Sequence, residues 1–300
     1  MSVSSDSLAS HDQTQVNCRL QASDFARFSR LVYETCGIQL SASKQQMVES
    51  RLRKRLRETG ASSFSDYWKL LTQDAAGKDE LVRFIDVMTT NKTEFFRESA
   101  HFDFLVKNIV PEMARRKSSD GRNLRVWSAG CSTGKEAYTL AIVLSECKAE
   151  GALDDFSIVG TDISTDVLKQ ARQAVYPEAD MQAVAYSLRQ RYLLRSLDRK
   201  NKTCRMTPEI RDRVTFERLN FMDEKYRFSS LFDIIFCRNV MIYFDRPTQE
   251  AVVNRLSACL KIGGYYFTGH SETLNGIACD LAPVAPTIYL KRGVHSAQEA

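Results

Sequence analysis

Paired cysteines, histidine-rich spacing and long apolar runs are absent from this chain. Its eight cysteines (18, 36, 131, 147, 204, 237, 259 and 279) lie far apart with no C-x-x-C, and only four histidines accompany them. This argues against a zinc ribbon or a disulfide framework; the expectation is reduced, mostly buried thiols and no metal. No apolar run approaches bilayer length, and Met1-Ser-Val-Ser-Ser-Asp-Ser is not a basic-then-apolar export signal. A cytoplasmic protein without direct membrane insertion is expected. Internal repeats are also missing, and low-complexity sequence is confined to the Ser-, Asp- and Gln-rich residues 1–17, which read as a disordered tail.

What is present is ordinary globular material. The 300 residues are 43% hydrophobic, enough for one large domain or two smaller ones. Residues 18–88 read as helical throughout, with Phe25, Phe28, Leu31 and Val32, then Phe64, Tyr67, Trp68, Leu70 and Leu71, then Leu81, Phe84, Ile85 and Met88; Gly37, Gly60 and Gly77 punctuate them. Residues 89–119 read as a linker and connecting helix. From 120 to 292 strands alternate with helices, the α/β pattern of a mostly parallel sheet covered on both faces. Candidate strands are Leu124 to Ser128, Ser157 to Gly160, Val214 to Arg218, Phe232 to Cys237, Tyr265 to Gly269 and Thr287 to Lys291. About residues 189–213 break the rhythm, as an inserted hairpin or as a loop with helix fragments.

The net charge of +5 is unevenly spread. Lys44, Arg51, Arg53, Lys54, Arg55 and Arg57 stand against Glu49 alone, on a helix whose apolar stripe is Val48, Leu52 and Leu56. That face is either simply solvated or a docking surface for something acidic.

The most informative stretch is Val126-Trp127-Ser128-Ala129-Gly130-Cys131-Ser132-Thr133-Gly134-Lys135-Glu136, a strand running through a small-residue turn into a helix. Gly130, Ser132 and Gly134 remove bulk so that backbone N–H groups can approach a ligand. Only three residues separate Gly130 from Gly134, and Glu136 stands where a P-loop needs a hydroxyl, so a nucleoside triphosphate is disfavoured. G-x-G-x-x-G is absent, and a pyrophosphate would meet Glu136. S-adenosylmethionine, a nucleoside with a cationic amino-acid arm, remains; the alternative is a tight turn without a ligand. Asp162, at the end of the second strand, suits ribose hydroxyls or, less well than Ser164, a helix cap. Asn220 reads as an adenine contact with Phe221 as apolar cover, or as a turn residue. Arg238, Asn239 and Tyr243 are delivered to the carboxyl edge of the sheet, where open α/β folds bind ligands. Asn91, Thr93 and Arg97 lie in a linker rich in donors and aromatic groups.

Together these segments resemble the chemotaxis receptor methyltransferases, the CheR family. The resemblance runs from about Phe25 to Leu290 through Met47 to Leu56, Thr90-Asn91-Lys92-Thr93-Glu94-Phe95-Phe96-Arg97, Trp127 to Gly134, Phe236-Cys237-Arg238-Asn239-Val240-Met241-Ile242-Tyr243-Phe244-Asp245 and Gly269-His270-Ser271-Glu272. It implies a small N-terminal helical domain and a Rossmann-like class I methyltransferase domain with an inserted small antiparallel β-subdomain. It also implies transfer of methyl from S-adenosylmethionine to receptor glutamates, leaving S-adenosylhomocysteine. Carried over, the cofactor residues are Asn91, Thr93, Arg97, Gly130, Glu136, Asp162, Asn220, Phe221, Arg238 and Asn239. Arg97 would hold the methionyl carboxylate and Glu136 the amino end. Arg97 and Tyr243 are the candidate catalytic residues, with a packed aromatic as the other reading of Tyr243. Arg51, Arg53, Lys54 and Arg57 would dock the cytoplasmic helical bundle of a chemoreceptor. In some members the β-subdomain binds a receptor C-terminal pentapeptide by β-augmentation. Lys135 and Ala137 depart from the family's usual Glu and Pro, with local charge and a looser helix start as the expected effects. A nucleic-acid methyltransferase would carry a motif such as N-P-P-Y, which is missing, so no nucleic-acid partner is expected; a non-catalytic sensory module is the other alternative.

Overall fold

In the computed structural model, residues 19–73, 76–115, 123–198 and 200–293 are described, so the expected disordered tail lies outside them. The chain divides into two units. One holds residues up to Arg30 together with Ser41–Met88, and the other holds Leu31–Leu40 with everything from Thr89 onward.

The first unit is helical: most of α1 (Ala22–Cys36), α2 (Gln45–Thr59), α3 (Phe64–Leu71) and α4 (Ala76–Met88). Helix α2 forms because Val48, Leu52 and Leu56 recur on one face, and all three are fully buried. It stops at Gly60, whose φ of 73° lets its N–H reach the Leu56 carbonyl. Ser63 caps α3 by accepting from the Asp66 N–H, and the Phe28 ring meets Trp68 edge-on at 5.5 Å. One cation of the basic helix departs from the sequence reading. Arg55 is buried, with Nη2 donating to Glu80 at 2.7 Å and Nε at 2.9 Å, while Tyr67 donates to the same carboxylate at 2.6 Å. A buried guanidinium needs such partners to offset its lost hydration.

The second unit begins, after residue 89, with α5 (Ala100–Phe104), a π-helical turn and α6 (Val110–Arg115). Then follow β1 (Asn123–Ala129), α7 (Lys135–Ala149), β2 (Asp155–Asp162), α8 (Thr165–Gln173), β3 (Val175–Pro177), α9 (Tyr186–Tyr192), β4 (Leu193–Arg195), β5 (Thr203–Met206), α10 (Pro208–Arg211) and β6 (Val214–Arg218). The chain ends through β7 (Phe232–Phe236), α11 (Arg246–Ala258), β8 (Leu260–Phe267), β9 (Leu281–Ala285) and β10 (Ile288–Lys291). A seven-stranded sheet has the order β6-β2-β1-β7-β8-β10-β9, with the five strands from β6 to β8 paired in parallel and β10 antiparallel to its neighbours β8 and β9. Strand order reverses between β1 and β7, which opens a crevice at their carboxyl ends. The expected fold class is therefore observed, a helical unit plus a Rossmann-like sheet with a small second sheet.

Two details differ from the expectation. The small sheet has three strands ordered β3-β5-β4, so Val175–Pro177 join it from upstream of 189–213. Three residues carry too little periodicity to be recognised as a strand. Strand β9 was also not anticipated; Pro283 within it obscures the pattern, although the residue is paired with Tyr289.

Candidate active site

A cavity of about 230 Å³ opens at the carboxyl ends of β1, β2, β6 and β7. All ten sequence-derived cofactor residues and Tyr243 line it.

The loop after β1 is built differently from its sequence reading. Gly130 has φ of 81°, and a Cβ there would lie 2.5 Å from Val240 Cγ2. Glycine is thus needed both for the turn and for the close approach of the β7 loop. The N–H groups, however, are spent on the fold: Gly130 and Cys131 donate to the Thr161 carbonyl at 2.8 and 2.9 Å, and Ser132 donates to Asp162 Oδ2 at 2.8 Å. They hold the second strand end rather than pointing at a ligand, a correction to the expectation from small residues alone. Asp162 also accepts from the Ser164 N–H at 3.0 Å, while Ser164 itself caps α8. The cavity therefore receives side chains from a braced loop. Cys131, sealed beneath it, has its thiol pushed well above the usual range by burial and then by the nearby Asp162 and Glu136 carboxylates.

The linker segment forms the facing wall. Ser132 Oγ donates to the Asn91 carbonyl at 3.0 Å, and Lys135 Nζ reaches the Thr93 carbonyl at 3.4 Å and Asp180 at 2.7 Å. Lys135, expected only to tune local charge, ties the linker to the loop. Arg97 lines the cavity, its Nη1 donating to the Lys92 carbonyl at 3.3 Å.

Arg238 is the centre of a buried charge network. Its side chain is 1% exposed; Nη2 donates to the Arg97 carbonyl at 2.5 Å and Glu98 Oε2 at 2.9 Å, and Nη1 reaches Glu136 Oε2 at 3.3 Å. Burial opposes ionisation of Glu98, but the Arg238 hydrogen bond and charge outweigh it and hold the carboxyl below its usual range. Glu136 shifts the other way: burial raises it more than Arg238 and the Ser128 hydroxyl, which donates at 2.7 Å, lower it. Asn239 Nδ2 also donates to Glu98, at 3.3 Å, from a backbone with φ of 59°.

Glu272 holds that strained backbone. Its Oε2 accepts from Gly269 at 2.6 Å and Asn239 at 2.8 Å, and its Oε1 accepts from Met241 at 2.7 Å. Sequence reasoning gave neither Glu98 nor Glu272 a role, although Glu272 closes the Gly269-His270-Ser271-Glu272 motif. Their signal was faint: a carboxylate beside Arg97, and another after Gly-His-Ser.

Asn220 lies at the cavity wall and also serves its own turn. Its Oδ1 accepts from Met222 at 3.0 Å and its Nδ2 donates to the Thr35 carbonyl at 2.6 Å, which leaves one amide hydrogen for a ligand. Phe221 and Tyr243 line the same wall, and the Tyr243 carbonyl accepts from the Gln39 N–H at 2.9 Å. Cys36 and Ile38 complete it, residues that sequence reasoning passed over because they looked like helix end and linker.

Of the docking candidates, Lys54 and Arg57 are exposed, whereas Arg53 is half-buried and paired with Glu49 at 2.6 Å. Arg51, also half-buried, donates to the Met88 carbonyl at 2.7 Å, so it has a structural task within its own unit. On the small sheet, β4 pairs among the described residues with β5 alone and borders a groove formed by Tyr186, Arg189, Leu193 and Arg195 among others. No helix among the described residues is long and apolar enough to cross a membrane.

The donor set fits S-adenosylmethionine. Glu136 and Asp162 suit an ammonium and a ribose, and Arg97 suits a carboxylate. Residues 91–289 match the family model described as the CheR methyltransferase SAM binding domain, and residues 23–89 match the CheR methyltransferase all-alpha domain. The chain is 38% identical over 278 residues to a chemotaxis protein methyltransferase of Borreliella burgdorferi, covering 92% of this chain and 96% of that one. It is 40% identical to the chemotaxis protein methyltransferase of Klebsiella aerogenes, covering 92% of each. A solved glycopeptide N-methyltransferase, MtfA with S-adenosylmethionine, gives a TM-score of 0.30 at 15% identity over 53% of this chain and 48% of that one, too low to add weight. By sequence, and with a cavity whose donors suit the cofactor, the chain belongs to the CheR family of S-adenosylmethionine-binding chemotaxis methyltransferases.

Proposed function

We propose that this protein esterifies glutamate side chains on the cytoplasmic helical domain of chemoreceptors, forming glutamate methyl esters and S-adenosylhomocysteine. The observation that carries the reading is the convergence of Arg97, Glu136, Asp162 and Tyr243 on one cavity in a chain of the CheR family. Bound there, S-adenosylmethionine supplies an electrophilic methyl group on a sulfonium. Arg97 holds the methionyl carboxylate, Glu136 the ammonium and Asp162 the ribose hydroxyls. Phe221 covers the adenine, and the remaining hydrogen of Asn220 is available to its edge. Asn91 and Thr93 line the linker side, while Arg238 and Asn239 fix the rim through Glu98.

A glutamate acceptor is ionised at neutral pH, with an ordinary pKa of about 4.3, and needs no general base. The residues then act by positioning: Arg97, through the donor it holds, and Tyr243 organise the in-line geometry, and the apolar wall of Ile38, Val240 and Phe244 excludes water. Tyr243→Phe is expected to lower turnover while cofactor affinity stays normal; full turnover would assign the tyrosine to packing alone. Receptor docking falls to Lys54, Arg57 and the outer part of Arg53, which suit a Glu-rich bundle. The open edge of β4 suits an added strand such as a receptor C-terminal pentapeptide, and calorimetry with that peptide tests it. The direct test of the main reading is transfer of labelled methyl from S-adenosylmethionine to receptor-containing membranes. A base-labile product supports a carboxyl ester, and a base-stable label or none overturns it.

A further inference from the structure

Behind the cavity rim, Glu98, His101 and His270 bring a carboxylate and two imidazoles together, with one ligand atom of each within 4.8 Å of the others. His101 is 2% exposed and its Nδ1 has no hydrogen-bond partner. The Thr287 hydroxyl lies 2.7 Å from His101 Nε2, and the ring turns Nδ1 inward, 3.6 Å from Glu98 Oε2. With Nε2–H on that hydroxyl, a neutral His101 can present Nδ1 as a ligand atom beside the carboxylate.

The arrangement has the parts of a metal site. A ligating histidine usually anchors its other N–H to a neighbouring oxygen, and the Thr287 hydroxyl is placed to serve His101 in this way. Two histidines and a carboxylate form a donor set suited to zinc-class ions. His270 is exposed and gives an entry path. Metal–ligand bonds of about 2.1 Å put tetrahedral donors about 3.4 Å apart, so the exposed His270 ring needs only a modest inward swing. The nearby cation Arg238 is already shared by Glu98 and Glu136, leaving that trio with a net negative charge.

We propose that Glu98, His101 and His270 bind a divalent transition-metal ion of the zinc class, and that occupancy weakens the methyl-donor site by drawing Glu98 away from Arg238 and Asn239. The cation would compete for the carboxylate that now accepts from both rim residues. Metal binding and cofactor binding would then be antagonistic, each weakening the other by the same factor. The two histidines are separated by 169 positions along the chain (270 − 101), which is why spacing alone gave no hint of a metal.

The test uses the full chain with Zn²⁺ in calorimetry and Co²⁺ in visible spectroscopy. One equivalent should bind, and Co²⁺ should show d–d bands without the sulfur-to-metal absorption that the free cysteines would produce. His270→Ala, a change at an exposed side chain, should weaken binding at least about tenfold. Binding that is absent at millimolar metal, or equally tight in His270→Ala, overturns the site. S-adenosylmethionine affinity should fall with saturating Zn²⁺ in the parent and remain unchanged in His270→Ala. An unchanged affinity in the parent despite bound metal overturns the antagonism, and metal binding is read without reference to methyl transfer.

Discussion

Replacing Glu272 by glutamine tests whether the catalytic rim is held by one carboxylate. Glu272 is 7% exposed and accepts three backbone N–H groups at 2.6, 2.8 and 2.7 Å. Glutamine keeps the shape but has one acceptor oxygen, so if that oxygen serves Gly269 and Asn239, an NH₂ faces the Met241 N–H. Hydrogen bonds to charged groups contribute about 1.5–3 kcal/mol each, and a stranded buried donor costs about 1–3 kcal/mol. The local penalty is therefore about 2.5–6 kcal/mol before relaxation. Asn239 adds to it, because a non-glycine residue at φ of 59° is stable only when its surroundings insist on it. A loop that relaxes by even about 1.4–2.8 kcal/mol loses roughly ten- to a hundredfold in ligand affinity.

Calorimetry with S-adenosylmethionine, paired with hydrogen exchange at residues 238–243, reads the effect. Glu272→Gln should weaken the cofactor by that factor and speed exchange in this loop while exchange in β1 and β2 stays slow. Asn239→Gly removes the backbone strain, so combining the two changes should cost less than the sum of their separate effects. The reasoning is refuted if Glu272→Gln binds cofactor within twofold of the parent with unchanged loop exchange.

Gly130→Ala puts a methyl 2.5 Å from Val240 Cγ2 in a left-handed backbone, so cofactor binding should be lost by calorimetry, and adding Val240→Ala should recover only part because the backbone strain remains. Burial raises the Glu136 carboxyl, and an ammonium favours its ionised form, so cofactor affinity should rise with pH through that raised pKa with proton release, and Glu136→Gln should flatten the profile. Lys54→Glu with Arg57→Glu should raise the KM for receptor at low salt and leave cofactor affinity unchanged, because both side chains are exposed on α2; equal receptor kinetics would remove the docking role.

Much of the sheet was legible because Leu124 to Ser128 and Phe232 to Cys237 are apolar runs with turn signals at their ends, and such runs depend on local pattern. The cavity positions were legible for a related reason: residues directly after parallel strands arrive at one edge whatever their partners. Partners were not legible. Arg238 reads as a polar group at the carboxyl edge of the sheet with no partner named, yet its guanidinium is sealed by Glu98, 140 positions away (238 − 98), and Glu136, 102 away (238 − 136). Arg55 reads as one cation among several and turns inward because Glu80 waits on another helix. Burial of a charge is a property of the pair, and neither member signals it locally.

The same physics explains why so much charge is kept beneath one small cavity. Arg238 alone would be an uncompensated cation in a poorly hydrated place, and Glu98 or Glu136 alone an uncompensated anion. Together they leave Glu136 only loosely matched, at 3.3 Å from Arg238 against 2.9 Å for Glu98, and with its carboxyl raised. A loosely matched carboxylate is the group that gains most from a new cation, so Glu136 is suited to receive an ammonium while Glu98 keeps Arg238 fixed. The two carboxylates divide their tasks by depth of pairing: one maintains the rim and the other stays receptive. Exchanging their strengths, with Glu98→Gln forcing Arg238 fully onto Glu136, should therefore weaken cofactor binding although Glu98 need not touch the ligand, and calorimetry at neutral pH gives the measurement. An affinity equal to the parent's would mean that the Arg238–Glu136 contact has no bearing on how the ammonium is held.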